Sequence, residues 1–297
     1  MTKMRSGIER MSRGARRCVS GTTGKDLGRS AHLTVRALLQ PSDSLEAVPG
    51  WIEHVAESAC GLSGACLAPR PPGPDVCGIC CGALDGPSDV CRSCRQVERG
   101  LRRPLHPVTP ISLTTSDTGL YAALKQYKGQ PTSISRRQQL RLADLLGTFF
   151  ERHGRCVAPD GYDAVVVVPS GQVRAEHHPL ASTLCLLPEV GHAVVDALRR
   201  GRATIERNTP ARDAYRCRRE LVEERRVLLV DDTYTTGAHL QSAAAALEDA
   251  RTREVRLLVV GRHQSWGWEP ARQLLEWSTL AENRWSPQCC IRCRGVR

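Results

Sequence analysis

The chain has 297 residues, 41% hydrophobic and 25% charged, and its 42 basic and 31 acidic residues leave a formal charge of +11. These proportions exclude a wholly disordered chain, a collagen or a coiled coil, and the length suits one domain or two. No stretch of 18 apolar residues is present, so no membrane-spanning helix is expected.

The first residues, MTKMRSGIERMSRGARR, are basic but lack the apolar run of a secretory signal, so a cytoplasmic, reducing setting is expected. Only four of the basic residues are lysines (Lys3, Lys25, Lys125 and Lys128). Arginine in place of lysine fits the codon bias of a GC-rich genome. The positive excess then reads either as a solvated surface or as affinity for polyanions, and charge alone does not choose. In a reducing compartment, the closely spaced members of the 14 cysteines are better metal ligands than disulfide partners. Isolated Cys156, Cys185 and Cys217 read as small buried apolar residues.

Residues 1–30 lack hydrophobic periodicity, and short helices could form around Leu33–Leu39 and Trp51–Ala59. APRPPGPD, residues 68–75, holds four prolines and cannot continue a helix, so it reads as a linker closing a poorly ordered or weakly helical extension over 1–75. The span 76–99 is a cysteine module. Cys77-x-x-Cys80 and Cys91-x-x-Cys94 are two chelating pairs joined by turn-forming residues, the spacing of a closed four-thiolate zinc site. A site with no open position suits stability or docking rather than catalysis.

After an irregular RRPLHPVTP stretch, a third region, 111–265, alternates helical and strand patterns. YAALKQYKG is helical from Tyr121. A stronger helix carries Leu142, Leu145, Leu146, Phe149 and Phe150 on one face, with Ser133 or Ser135 as its cap. Val165–Val168 is a continuous β-branched run ended by Pro169 and Gly171, as in a strand covered on both faces. A helical pattern around Val194–Leu198 follows, then a second strand at Val227–Val230, a helix over Ala238–Ala250 and a third strand at Val255–Val260. This order predicts an α/β fold with a parallel sheet and flanking helices. Residues 266–297 form a C-terminal extension ending in CCIRCRGVR. There Cys290-x-x-Cys293, beside Cys289, could bind a second metal, pack beside the first, or serve as plain tail thiols.

The most informative segment is VLLVDDTYTTGA, residues 227–238. A buried strand delivers Asp231 and Asp232 to its carboxyl end, where parallel sheets bind ligands. Thr233, Tyr234, Thr235, Thr236 and Gly237 then lead into a helix. Such a turn offers backbone N–H groups, hydroxyls and the positive end of a helix dipole, which suit a phosphate monoester. The acids repel phosphate and suit hydroxyls and a hydrated cation. Together the two halves describe a site for ribose 5-phosphate. The plainer alternative is two capping aspartates and a threonine-rich turn. GTTGKD, residues 21–26, lacks Walker A spacing, and no G-x-G-x-x-G follows a strand.

VLLVDDTYTTGA resembles the phosphoribosyl pyrophosphate signature of type I phosphoribosyltransferases. With the four-cysteine module and LKQYKG, residues 124–129, in the same order, the chain more narrowly resembles the ComF/GntX (competence protein F-like) branch over about residues 77–262. The resemblance implies a phosphoribosyltransferase-like sheet preceded by a zinc module, with phosphoribosyl pyrophosphate and Mg2+ as ligands. Asp231 and Asp232 would meet the ribose hydroxyls, and Thr233 to Gly237 the 5-phosphate. Ser170 and Gly171, with Arg174, would handle the pyrophosphate, and Arg207, Asn208 and Arg212 would form a hood. After the first strand the branch shows a basic run and Arg-Gly-Phe-Asn, whereas this chain has QVRAEHHPLAST. His177 and His178 there read as surface histidines. Magnesium-assisted phosphoribosyl transfer to an acceptor that the sequence does not name is the implied reaction. The alternative is a non-catalytic phosphoribosyl pyrophosphate sensor, or an accessory working with DNA or a DNA-handling partner in competence. A zinc-ribbon nucleic-acid binder would leave the best motif unused.

Overall fold

A computed structural model describes residues 62–128, 132–170, 178–206 and 209–294. The expected helices at Leu33–Leu39 and Trp51–Ala59 lie outside these residues.

The centre is a four-stranded, wholly parallel sheet in the order β1-β6-β5-β2, built from β1 (Val108–Thr114), β2 (Ala164–Val167), β5 (Arg226–Tyr234) and β6 (Glu254–His263). β3 (Leu198–Arg200) and β4 (Tyr215–Cys217) form a separate antiparallel pair. The three apolar runs became strands because both sheet faces are covered. Along β5, Val227 and Leu229 pack toward one face, and Leu228 and Val230 toward the other.

The first face carries the cysteine module with its helix α1 (Arg92–Leu101), the β3–β4 pair, and α5 (Ala238–Asp249). The second carries α2 (Gly119–Gln126), α3 (Ser133–Val157) and α4 (Pro179–Cys185). Helix α6 (Glu269–Thr279) packs with Leu113 beside β1, and the short α7 (Ile291–Arg294) closes the described chain.

Four expectations need correction. β1 falls where an irregular stretch is expected. Pro110 sits inside it, which is tolerated because β1 is an edge strand of the four-stranded sheet, joined to it through β6. Val194–Leu198 is not helical: Val195 N–H donates to the Val165 carbonyl, and Leu198 enters β3. The cap of α3 is Thr132, with Ser135 completing a reciprocal capping box as its third residue. The proline-rich stretch is docked rather than a free linker. Leu67 bridges Leu113 in antiparallel fashion, and the Ala68 carbonyl accepts the Ser278 hydroxyl at 3.0 Å. Prolines that forbid a helix permit this extended path against the sheet edge.

Candidate functional site

The carboxyl ends of β2 and β5 lie side by side, because Val168 N–H donates to the Val230 carbonyl at 3.0 Å. The sheet therefore brings Ser170, Asp231 and Asp232 to one edge. Successive side chains on a strand point to opposite faces. Asp232 turns toward α2 and is 3% exposed, while Asp231 is half-buried and faces the β4–α5 side.

Asp232 is held by two groups from the end of α2. The Tyr127 hydroxyl donates to its Oδ2, and Lys128 Nζ forms an ion pair with the same oxygen. Burial, followed by the charge of Asp232, pushes the Tyr127 phenol well above its ordinary range, so it remains a donor. LKQYKG thus has a structural reason to accompany the acid pair: it delivers a phenol and a cation to it. The Asp231 carboxyl accepts from the Asp232 backbone N–H at 2.9 Å. Burial and the neighbouring Asp232 charge raise it well above the usual carboxylate range, against the pull of Lys128.

His178 is half-buried rather than on the surface. Its Nδ1 accepts from Leu180 N–H at 3.2 Å and so caps α4. Burial lowers its pKa to about 4, leaving it neutral beside the Asp232 and Lys128 charges at neutral pH. His177, Gly171, Arg174, Arg207 and Asn208 lie outside the described residues.

The turn after β5 enters α5 through Gly237, whose φ of 89° suits glycine and where a Cβ would collide with the Tyr234 ring. Thr235 is exposed, and Thr233 and Thr236 are half-buried. The Tyr234 side chain is placed elsewhere than its position in the motif suggests. It is 1% exposed, and its hydroxyl lies 3.5 Å from Cys94 Sγ. Its side chain packs between Gly237 of the turn and the cysteine module.

Arg212 is corrected outright as a hood residue. It pairs with Asp249 at 3.1 Å, at the last turn of α5, whereas the signature turn opens the first. Twelve helical residues separate those ends by about 18 Å. The β3–β4 pair brings Arg200 to the first turn of α5, 3.5 Å from His239 Nδ1. The Arg200 guanidinium lies 3.1 Å from the Tyr215 hydroxyl, which is 2.9 Å from His239 Nδ1 in the first turn of the helix. Asp231 is near enough for its charge to raise the Tyr215 phenol, after burial as the larger cause. Arg200, Tyr215 and His239 carry no motif, and only the pairing of β3 with β4 gathers them.

The sulfur atoms of Cys77, Cys80, Cys91 and Cys94 all lie within 4.8 Å of one another and are buried. Cys80 and Cys91 are 3.8 Å apart, and Cys91 N–H donates to Cys77 Sγ at 3.3 Å. Four thiolates around zinc would sit about 3.8 Å apart, given Zn–S bonds of about 2.3 Å, so this cluster could hold a metal such as zinc.

Its surroundings fit an anionic centre. The Arg262 guanidinium is buried beside it and donates to Cys80 Sγ at 3.4 Å. It also donates to the Thr235 carbonyl at 2.9 Å and stacks on the Tyr234 ring at 5.0 Å. Gly82 allows this approach, since a Cβ there would strike Arg262. The module therefore braces the signature turn through Arg262 and Tyr234.

A cavity of about 370 Å³ lies at the opposite, amino-terminal edge of the sheet, lined by His106, Thr109, Glu248, Arg253 and Arg292 among others. It shares no residue with the acid pair.

No family model matches the chain, and no curated protein matches it. Among solved structures, a match is the allosteric regulatory enzyme of purine biosynthesis, at 20% identity and a TM-score of 0.26. The match covers 38% of this chain and 26% of that one. A likeness at that score carries no argument, so the site is read from its own chemistry. None of the described helices is long and apolar enough to cross a membrane.

Proposed function

We propose that the chain binds phosphoribosyl pyrophosphate with Mg2+ and transfers the phosphoribosyl group to an acceptor. One observation carries this reading: two adjacent aspartates lie near the carboxyl end of a parallel strand whose last residues, Thr233 and Tyr234, lead into the turn of residues 235–237 that opens a helix. Phosphate and diol recognition are thereby placed a few residues apart, as ribose 5-phosphate requires.

In this reading Asp231 and Asp232 accept from the ribose hydroxyls. The backbone of residues 233–237, with the Thr235 and Thr236 hydroxyls, takes the 5-phosphate. Ser170, Gly171 and Arg174 meet the pyrophosphate. Arg200 and Arg207 close the site from the β3–β4 side and exclude water from a hydrolysable substrate.

Lys128 has two places to go. It neutralises Asp232 in the free chain, and an arriving pyrophosphate competes for the ammonium and releases that carboxylate to the sugar. The acid pair suits a divalent cation, because one lysine only partly offsets two carboxylates, and burial together with the Asp232 charge raises the Asp231 carboxyl well above its ordinary range. Magnesium, when bound, would neutralise the departing pyrophosphate. The four-cysteine cluster is assigned zinc and a bracing role, because it leaves no position open.

Calorimetry with phosphoribosyl pyrophosphate, with and without Mg2+, tests the site. Each charged hydrogen bond contributes about 1.5–3 kcal/mol, so Asp231→Asn/Asp232→Asn is expected to weaken binding about 100-fold or more. Equal binding by wild type and variant would overturn the assignment. Pyrophosphate release in the presence of candidate acceptors separates a transferase from a sensor that binds without turnover.

A further inference from the structure

A second sulfur cluster sits on the other face of the sheet. His153 and Cys156 come from one face of α3, near its carboxyl end, and Cys290 and Cys293 come from the tail that runs into α7. One ligand atom from each of the four lies within 4.8 Å of the others. His153 Nδ1 is 3.8 Å from Cys156 Sγ and 4.0 Å from Cys293 Sγ. Tetrahedral zinc with three sulfurs and one imidazole nitrogen would place nitrogen and sulfur about 3.6 Å apart. The observed spacing needs only a small contraction.

Three further details belong to a metal site rather than to a chance meeting of thiols. His153 is 4% exposed, and its Nε2 lies 3.0 Å from the Pro287 carbonyl. A carbonyl can only accept, so Nε2 carries the proton and the Nδ1 lone pair points into the cluster, the outer-shell arrangement of a ligating histidine. Cys290 N–H is aimed at Cys293 Sγ at 3.0 Å, so a thiolate there would keep a backbone donor in place of the thiol's contact with the Cys290 carbonyl at 3.3 Å. The two pairs also have chelating spacings: Cys290-x-x-Cys293 in the tail and His153-x-x-Cys156 on one helical face.

We infer that His153, Cys156, Cys290 and Cys293 form a second, closed zinc site that staples the C-terminal tail onto α3. Beyond the packing of Trp285, Cys290, Ile291 and Cys293, the tail is attached through polar contacts. Trp285 Nε1 donates to the Ile111 carbonyl at 2.8 Å, Arg152 to Gln288 Oε1 at 2.7 Å, and Arg292 Nε to Thr109 Oγ1 at 2.9 Å. Helix α7 has four residues and cannot stand alone. A metal bond network joins segments far apart in the chain and gives this short tail a fixed seat. The inference is independent of the phosphoribosyl pyrophosphate reading.

The test measures metal content on the full chain purified from zinc-supplemented medium under reducing conditions. Wild type is expected to carry two zinc ions. Cys290→Ser/Cys293→Ser is expected to carry one, as is Cys77→Ser/Cys80→Ser. His153→Cys is expected to keep two, because it exchanges one zinc ligand for another. Cobalt loading gives a second readout that does not depend on the serine variants folding. Wild type should show the sum of two spectra, one of cobalt held by four sulfurs and one of cobalt held by three sulfurs and a nitrogen. His153→Cys should shift only the nitrogen-containing component, to the four-sulfur form. Two zinc ions in Cys290→Ser/Cys293→Ser, a single zinc ion in wild type that Cys77→Ser/Cys80→Ser removes, or a His153→Cys cobalt spectrum identical to wild type would each overturn it.

Discussion

On one face of the sheet Cys77, Cys80, Cys91 and Cys94 come from a single short module. On the other, His153 and Cys156 meet Cys290 and Cys293, with His153 and Cys293 140 residues apart in the chain. Each face also receives one aspartate of the pair. Asp232, on the α2 side, has a phenol and an ammonium as partners, whereas Asp231 keeps a raised pKa and one backbone donor. The first face holds its thiols by local spacing and leaves its acid open. The second holds its acid through Tyr127 and Lys128 and assembles its thiols only after the chain has folded back. Neighbouring residues on one strand are thereby given different tasks by what covers each face.

Breaking the local cluster should have the largest effect. Cys77→Ser/Cys80→Ser removes half of a closed thiolate set, and structural zinc contributes about 10 kcal/mol or more to the folding of small modules. The expected result is loss of one zinc ion and a fall in Tm of more than about 10 °C, read by metal analysis and circular dichroism. Because Arg262 and Tyr234 link the module to the signature turn, phosphoribosyl pyrophosphate binding should fall with it.

The long-range cluster should matter less. Cys290→Ser/Cys293→Ser releases a tail rather than a core element. A crosslink closing a loop of more than about 100 residues contributes about 5 kcal/mol. Limited proteolysis should cleave after about residue 285 in the variant and spare wild type, with helix content little changed.

Arg262→Lys sharpens the link between module and turn. Lysine keeps the charge but cannot reach Cys80, Thr235 and the Tyr234 ring together. A loss of about 2 kcal/mol is expected from denaturant melts, with both zinc ions retained.

Tyr127→Phe leaves buried Asp232 with Lys128 alone and should cost about 1–2 kcal/mol. Asp231→Asn should move the other way. Its raised carboxyl means that the folded chain holds a proton the unfolded chain has released. Stability from that proton is complete below the unfolded pKa of about 3.9 and is lost as pH rises through the folded value. In Mg2+-free buffer the variant should therefore melt about 2–4 °C above wild type at pH 8, with the gap closing toward pH 4. A gap that widened toward acid would contradict the burial assigned to Asp231.

Much of this was legible in the chain itself. Val165–Val168, Val227–Val230 and Val255–Val260 announced three strands of the parallel sheet, because parallel strands covered on both faces must be apolar on both. The helix after Gly237 and the C-x-x-C pairs were equally plain, since both rest on neighbours in sequence. β1 was hidden by Pro110, whose signal as a strand breaker is overridden at a sheet edge. Arg212 read as a hood residue because a linear motif does not say at which end of α5 a side chain will land. Cys156 read as a packing residue for the same reason: its partners are the tail.

Sequence alone determined the α/β order, the acid pair with its turn, and the four-thiolate module, all of which depend on periodicity or on spacings within one or two turns of chain. The tertiary structure alone decided that Tyr127 and Lys128 serve Asp232, that Tyr234 serves the module, that Arg212 pairs with Asp249 while Arg200 meets Tyr215 and His239, and that His153 and Cys156 meet Cys290 and Cys293. Local spacing fixes what a few bonds can bring together. Contacts between distant segments exist only once apolar burial has set which face of each helix meets the sheet.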